Sequence, residues 1–164
     1  MSRPSHILIV EASYYTHIAA RLRRGAERAL SAAGATHEVV SVPGAFEIPA
    51  AIGMAARCTD RFDGFVALGC VIRGQTTHYD HICAESARGL QDLAVRDGLA
   101  IGYGILTVEN EAQALARASA EERDKGGEAV HACLSLVHLK RRFAGEENED
   151  AERAAAPRSA TPRS

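Results

Sequence analysis

The segment Gly69-Cys70-Val71-Ile72-Arg73-Gly74-Gln75-Thr76-Thr77-His78-Tyr79-Asp80 joins an apolar run to a helix start through a short polar turn. A helix N-terminus carries unpaired backbone N–H groups and partial positive charge, so the turn ahead of it is a seat for an anion, phosphate above all. Gly74 allows close backbone approach there. The same residues also read as a simple helix cap, because Thr77 and Asp80 have capping-box spacing. His78 lies beside this turn, and an imidazole titrating near pH ~6.5 is the usual proton-transfer group at neutral pH. It reads either as that group or as a structural histidine. No Gly-Lys-Ser/Thr follows the turn, which excludes the nucleotide loop of P-loop proteins. His78 and His81 have a spacing that can face one ion, but no further ligand set accompanies them, so no metal is expected.

The elements that position these residues alternate between strands and helices. Strands are predicted over His6–Val10, Glu38–Val42, Gly64–Ile72 and Leu99–Val108. The third is apolar on both faces, as a central parallel strand should be. Helical spacing runs through Ile18, Leu22, Ala26, Ala29 and Ala33 to a stop at Gly34, then over Phe46–Arg57, His78–Arg96 and Glu111–Ala118. A polar loop is predicted to reach Lys125-Gly126-Gly127 before a last helix that ends near Phe143. This alternation implies an α/β three-layer sandwich: a four-stranded parallel sheet with right-handed crossovers and helices on both faces.

In such sheets ligands gather outside the carboxyl ends of the strands. The residues there are Glu11-Ala12-Ser13-Tyr14, Pro43-Gly44-Ala45-Phe46-Glu47, Gly74 to His78, and Thr107-Val108-Glu109-Asn110. Together they suit a flat, polar-edged small molecule that also bears an anionic group. Phe46 reads as core or as a stacking surface, and Glu47 as a site carboxylate or as a charge favouring a helix dipole. Nothing in the spacing of Arg117 or Lys125 alone places either at the site.

The chain has 164 residues, 46% of them hydrophobic, which is globular composition for one domain over residues 1–144. A net charge of -2 argues against a general nucleic-acid binder. No apolar run approaches the ~20 residues of a membrane span, and Met1-Ser2-Arg3-Pro4-Ser5 is no signal peptide, so a cytoplasmic protein without membrane contact is expected. Cys58, Cys70, Cys83 and Cys133 form no Cys-x-x-Cys pair and read as small core residues. Residues 145–164 turn acidic and then rich in Ala, Pro, Arg and Ser, which reads as a disordered tail.

Four separated motifs make the chain resemble the lumazine synthase family of riboflavin formation. They are Pro43-Gly44-Ala45-Phe46-Glu47-Ile48-Pro49, Gly69 to Asp80, Gly104 to Asn110, and the pattern Gln113…Arg117-Ala118…Lys125-Gly126. The likeness covers about residues 7–143. It implies a flavodoxin-like fold and a transferase without cofactor. That enzyme condenses 5-amino-6-(D-ribitylamino)uracil with 3,4-dihydroxy-2-butanone 4-phosphate to 6,7-dimethyl-8-ribityllumazine, releasing phosphate and water. By the resemblance, Ala45, Phe46 and Glu47 hold the ribityl chain, while Cys70, Val71 and Ile72 contact the pyrimidine. Gln75 and Thr76 match the phosphate loop, completed by Arg117, and His78 matches the proton-transfer histidine. Tyr14 falls where a stacking phenylalanine is usual, and Tyr103 and Lys125 match further pyrimidine-side positions. Tyr103, Arg117 and Lys125 would come from a neighbouring subunit, which implies a homo-oligomer: a pentamer or an assembly of pentamers. The chain departs from the pattern at Tyr14, at Ser13 where arginine is common, and at Cys70 where threonine is common. The alternative is a flavin- or pyrimidine-binding or shell-forming protein without activity on the same fold.

Overall fold

The computed structural model describes residues 3–146. Residues 147–164, most of the expected tail, lie outside the described residues. The elements in chain order are β1 (His6–Ala12), α1 (Thr16–Ala32), β2 (Thr36–Val42), a 3₁₀ turn (Ala45–Glu47), α2 (Ile48–Cys58), β3 (Gly64–Ile72), α3 (His78–Asp97), β4 (Ile101–Val108), α4 (Glu111–Ala118) and α5 (Lys125–Ala144). The four strands form one parallel sheet in the order β2-β1-β3-β4. Helices cover both faces, as the alternation of elements requires.

Strand alternation divides the core in two. Ile7, Ile9, Val66, Leu68, Leu106 and Val108 face α1, α4 and α5, where Leu22, Ala114 and Val130 meet them. Leu8, Val10, Phe65, Ala67, Ile101 and Ile105 face α2 and α3, where Ile52 and Leu90 pack. The first layer is so tight that a Cβ on Gly102 of β4 would lie 1.9 Å from the Ala129 carbonyl oxygen of α5. A Cβ on Gly126 would lie 2.1 Å from the Leu22 carbonyl oxygen, where α5 crosses α1. α1 ends as predicted at Gly34, which takes φ 66.

Several boundaries differ from expectation. β1 runs two residues further, to Ala12, and so takes in Glu11. The predicted helix from Phe46 begins instead with the 3₁₀ turn Ala45–Glu47, and α2 starts at Ile48 with Pro49 in its first turn. β4 starts at Ile101 rather than Leu99. Lys125 is not in a loop: it is the first residue of α5, capped by Asp124, whose carboxylate accepts from the Gly127 N–H at 3.1 Å. Asp124 takes φ 42 to do so.

The sheet's opposite end is tied by a partly buried carboxylate. Asp63 accepts two hydrogen bonds from Arg3, at 2.9 and 2.6 Å, and one from the His6 N–H at 2.8 Å. The Arg141 guanidinium of α5 lies 3.4 Å away. Burial alone would push the Asp63 carboxyl up, but the Arg3 and His6 hydrogen bonds and the nearby Arg3 and Arg141 charges outweigh it and hold it below the usual range. A lowered carboxyl contributes stability that is present above the unfolded value and is lost as pH falls through the folded one. Asp63→Asn therefore lowers unfolding free energy by about 1–3 kcal/mol at neutral pH. The deficit, read by urea unfolding at fixed protein concentration, shrinks below pH ~4; a deficit that does not change with pH would contradict the ion-pair origin.

Candidate active site

A cleft of about 570 Å³ opens over the carboxyl ends of β1, β2 and β3. Tyr14 and Tyr15 enter it from the β1–α1 loop, and Gly44 to Glu47 from the turn after β2. Cys70, Val71 and Ile72 line it from the end of β3. Gly74, Thr76, His78, Tyr79 and Ile82 line it from the following turn and α3. Nine of the residues singled out from sequence therefore share one cavity: Tyr14, Ala45, Phe46, Glu47, Cys70, Val71, Ile72, Thr76 and His78.

Its first wall is aromatic. Tyr14 is 75% exposed and Phe46 56% exposed, so neither ring is core. Tyr14 meets Tyr15 edge to face, with centroids 4.9 Å apart. Glu47 closes its own turn: its carboxylate accepts from the Gly44 N–H at 3.0 Å, while its N–H donates to the Gly44 carbonyl at 3.2 Å. That bond engages one carboxylate oxygen, and the second is a further acceptor suited to hydroxyl donors. Burial, with Cys83 nearby, pushes the Cys70 thiol up to about 12, so it stays protonated and is no nucleophile.

The second wall is the N-terminus of α3. Thr77 does not form the capping box its spacing suggested: its backbone is helical and its side chain makes no cap bond. Asp80 instead lies 3.5 Å from Arg73, and Thr76 Oγ1 accepts from the His78 N–H at 3.3 Å. With no cap from Thr77, the Thr76 hydroxyl on the His78 N–H is the side-chain acceptor at the tip, and the helix end keeps its partial positive charge for an anion. His78 is exposed on the first position of α3 and faces the cleft.

Arg73 is fully engaged beside this seat. Its Nε donates to Glu109 at 2.9 Å and its guanidinium stacks on Tyr79, 4.3 Å from the ring centroid. The hydrogen bond to Glu109 holds the guanidinium above its usual range.

Four of the residues singled out from sequence do not line the cleft. Gln75 is exposed in the turn. Tyr103 is exposed on edge strand β4. Arg117 on α4 donates to the Gln113 carbonyl of its own helix at 3.1 Å. Lys125 pairs with Glu128 on α5. Both charged residues sit on the helical layer across the sheet from α2 and α3. Other residues expected at the strand ends serve elsewhere. Glu11 is buried under α1 rather than in the cleft, and after β4 Asn110 caps α4 while Glu109 binds Arg73. Tyr15, Tyr79 and Ile82 line the cleft without having been expected there, although Tyr15 follows a strand end and Tyr79 follows His78 directly. The cysteines were not all core: Cys70 and Cys133 are buried, Cys83 is half-buried and Cys58 is exposed. Among the described residues no three His, Cys, Asp or Glu side chains gather closely enough to share a metal ion.

Comparison with known proteins accounts for the motifs. The family described as 6,7-dimethyl-8-ribityllumazine synthase matches residues 4–141. A protein of Rhizobium meliloti named 6,7-dimethyl-8-ribityllumazine synthase 1 is 56% identical over 148 residues, covering 88% of this chain and 97% of that protein. The 6,7-dimethyl-8-ribityllumazine synthase of Agrobacterium fabrum is 54% identical over 149 residues, covering 88% of this chain and 100% of its own. That of Sphingopyxis alaskensis is 56% identical over 139 residues, covering 85% and 97%.

The thiol environments predict a graded reactivity. With iodoacetamide at about pH 8, Cys58 is alkylated first, while Cys70 and Cys133 stay unmodified until the protein unfolds. Peptide mass spectrometry reads the order, and Cys70 labelling at the rate of Cys58 would contradict the buried, protonated thiol.

Proposed function

The chain belongs to the 6,7-dimethyl-8-ribityllumazine synthase family, and from that premise we propose that it condenses 5-amino-6-(D-ribitylamino)uracil with 3,4-dihydroxy-2-butanone 4-phosphate to 6,7-dimethyl-8-ribityllumazine. The observation that carries the reading is that one cleft holds both kinds of wall such a pair needs. Aromatic rings and Glu47 form one, and the N-terminus of α3 with His78 forms the other.

The pyrimidine stacks against Tyr14 and lies along the Cys70–Ile72 backbone, with its ribityl hydroxyls directed to Ala45, Phe46 and Glu47. The phosphate of the second substrate sits at Gln75, Thr76 and the α3 N-terminus. Its carbonyl then lies next to the pyrimidine amine. The amine attacks that carbonyl, and loss of water gives an imine. Loss of a proton from the hydroxyl-bearing carbon expels phosphate from its neighbour, the enol that results becomes a ketone, and the ribitylamino nitrogen attacks that ketone to close the ring with loss of a second water. His78 takes and returns the protons of these steps. Holding two reactants in one geometry supplies ~7–11 kcal/mol of the barrier, so positioning carries much of the rate.

Tyr103, Arg117 and Lys125 lie away from the cleft of their own protomer, which supports a site completed by a neighbouring copy: Arg117 joins the phosphate seat, and Tyr103 and Lys125 the pyrimidine side. The unit is then a homo-oligomer of pentameric type, with residues 1–144 acting as one domain in the cytoplasm. No described helix is long and apolar enough to cross a membrane.

An absorbance assay with both substrates tests the reading: the lumazine chromophore appears only when both are present, and its absence would overturn the assignment. Arg117→Ala raises KM for the butanone phosphate far more than KM for the uracil; an equal rise in both would remove Arg117 from the phosphate seat. His78→Ala lowers kcat by about 10²-fold, and unchanged turnover would take it out of the mechanism.

A further inference from the structure

One buried carboxylate takes no part in the chemistry above. Glu11, near the end of β1, is 6% exposed. Its Oε1 accepts from the Arg23 guanidinium of α1 at 3.1 Å and from the Ser41 hydroxyl of β2 at 3.0 Å. Its Oε2 is buried and has no hydrogen-bond partner among the described residues. A buried carboxylate satisfied on one oxygen alone is a poor way to gain stability, since an apolar side chain of that volume would serve as well. Its place in the sheet explains it better.

Glu11 pairs with Ser41 in the β1–β2 ladder, one step before the final rung Ala12–Val42. Past that rung the ladder is extended only by Ser13, whose N–H and hydroxyl both donate to the Val42 carbonyl, at 3.0 and 3.3 Å. The chain then parts into two loops. One carries Tyr14 and Tyr15 into α1, where Arg23 sits two turns on; the other carries Phe46 and Glu47. β2 is an edge strand, held by β1 alone. Glu11 grips both sides of the fork at once, through Arg23 behind one loop and Ser41 before the other.

We infer that Glu11 is a positioning residue that fixes the Tyr14 loop against the Phe46 loop and so sets the width of the stacking wall. This rests on the reading of the cleft given above. The phosphate seat is built on the end of β3 and on α3; Glu11 meets β3 only through its backbone, at the Glu11–Leu68 rung, while its side chain bonds Arg23 and Ser41, so the effect of changing that side chain is confined to one of the two substrates. Glu11→Gln keeps an acceptor for Ser41 but loses the charge that holds Arg23, and it sets an amide donor where Oε2 has no partner.

Steady-state kinetics of the full chain, with each substrate varied in turn, test the inference. For Glu11→Gln, KM for the ribitylaminouracil rises about tenfold, while kcat and KM for the butanone phosphate hold within about twofold. Ser41→Ala, which removes an exposed hydroxyl and leaves the core intact, raises the same KM about threefold. An unchanged uracil KM in folded Glu11→Gln, or a parallel loss in all three constants, overturns the inference. If Glu11→Gln fails to fold by circular dichroism, Ser41→Ala decides: a selective shift supports the inference and no shift overturns it. A wild-type chain that forms no lumazine overturns the functional reading and this inference with it, whereas a wild type that turns over beside unaffected variants overturns the inference alone.

Discussion

The site depends on a crevice between the carboxyl ends of β1 and β3. The chain leaves β1 for β2 on one side and comes back to β3 on the other, so the connections diverge and leave the sheet's end uncovered. Helices seal both faces, but nothing in the chain's own path fills that gap. The same order explains why β4 contributes nothing to the cleft. Its end lies one strand further out, and the residues after it are spent on capping α4 and binding Arg73.

The two walls differ in how they resist motion. The α3 wall is a helix end anchored at its base by Arg73, which joins the end of β3 to Glu109 and to the first turn of α3. Such exposed ion pairs are individually weak, and their value lies in the shared geometry. The aromatic wall stands on two loops and an edge strand, with fewer constraints. There a single buried carboxylate replaces the anchoring that an inner strand would receive from both neighbours.

Much of this arrangement was legible in the residues. β3 was placed to the residue, because nine positions without a charge, bounded by Asp63 and Arg73, fit only a central strand. α1 was equally plain from its repeat and its glycine stop. The misread pieces share a cause: each turns on specific side-chain hydrogen bonds or on unusual backbone. Ala45–Glu47 form a 3₁₀ turn because the Glu47 carboxylate reaches back to the Gly44 N–H. Lys125 opens a helix because Asp124 adopts φ 42 and caps it, while the two glycines that follow are poor helix formers. Glu11 was assigned to the cleft because a charge after an apolar run marks a strand end, whereas Arg23 and Ser41 allow it inside the sheet. The motif positions Tyr103, Arg117 and Lys125 could be named from the resemblance but not joined to the cleft, since one copy of the chain does not bring them there.

The crossing of α1 and α5 adds a constraint of a different kind. With the Leu22 carbonyl oxygen 2.1 Å from where a methyl on Gly126 would stand, the two helices touch backbone to backbone. Two rods in such contact have no cushion of side chains to absorb a shift, so any slide of one is passed to the other undiminished. The residue just before Gly126 bears an ammonium group, and its address on the surface is therefore dictated by the seating of bare main chain two layers from the cleft. A lineage drifting at that crossing would move a charge without ever mutating it.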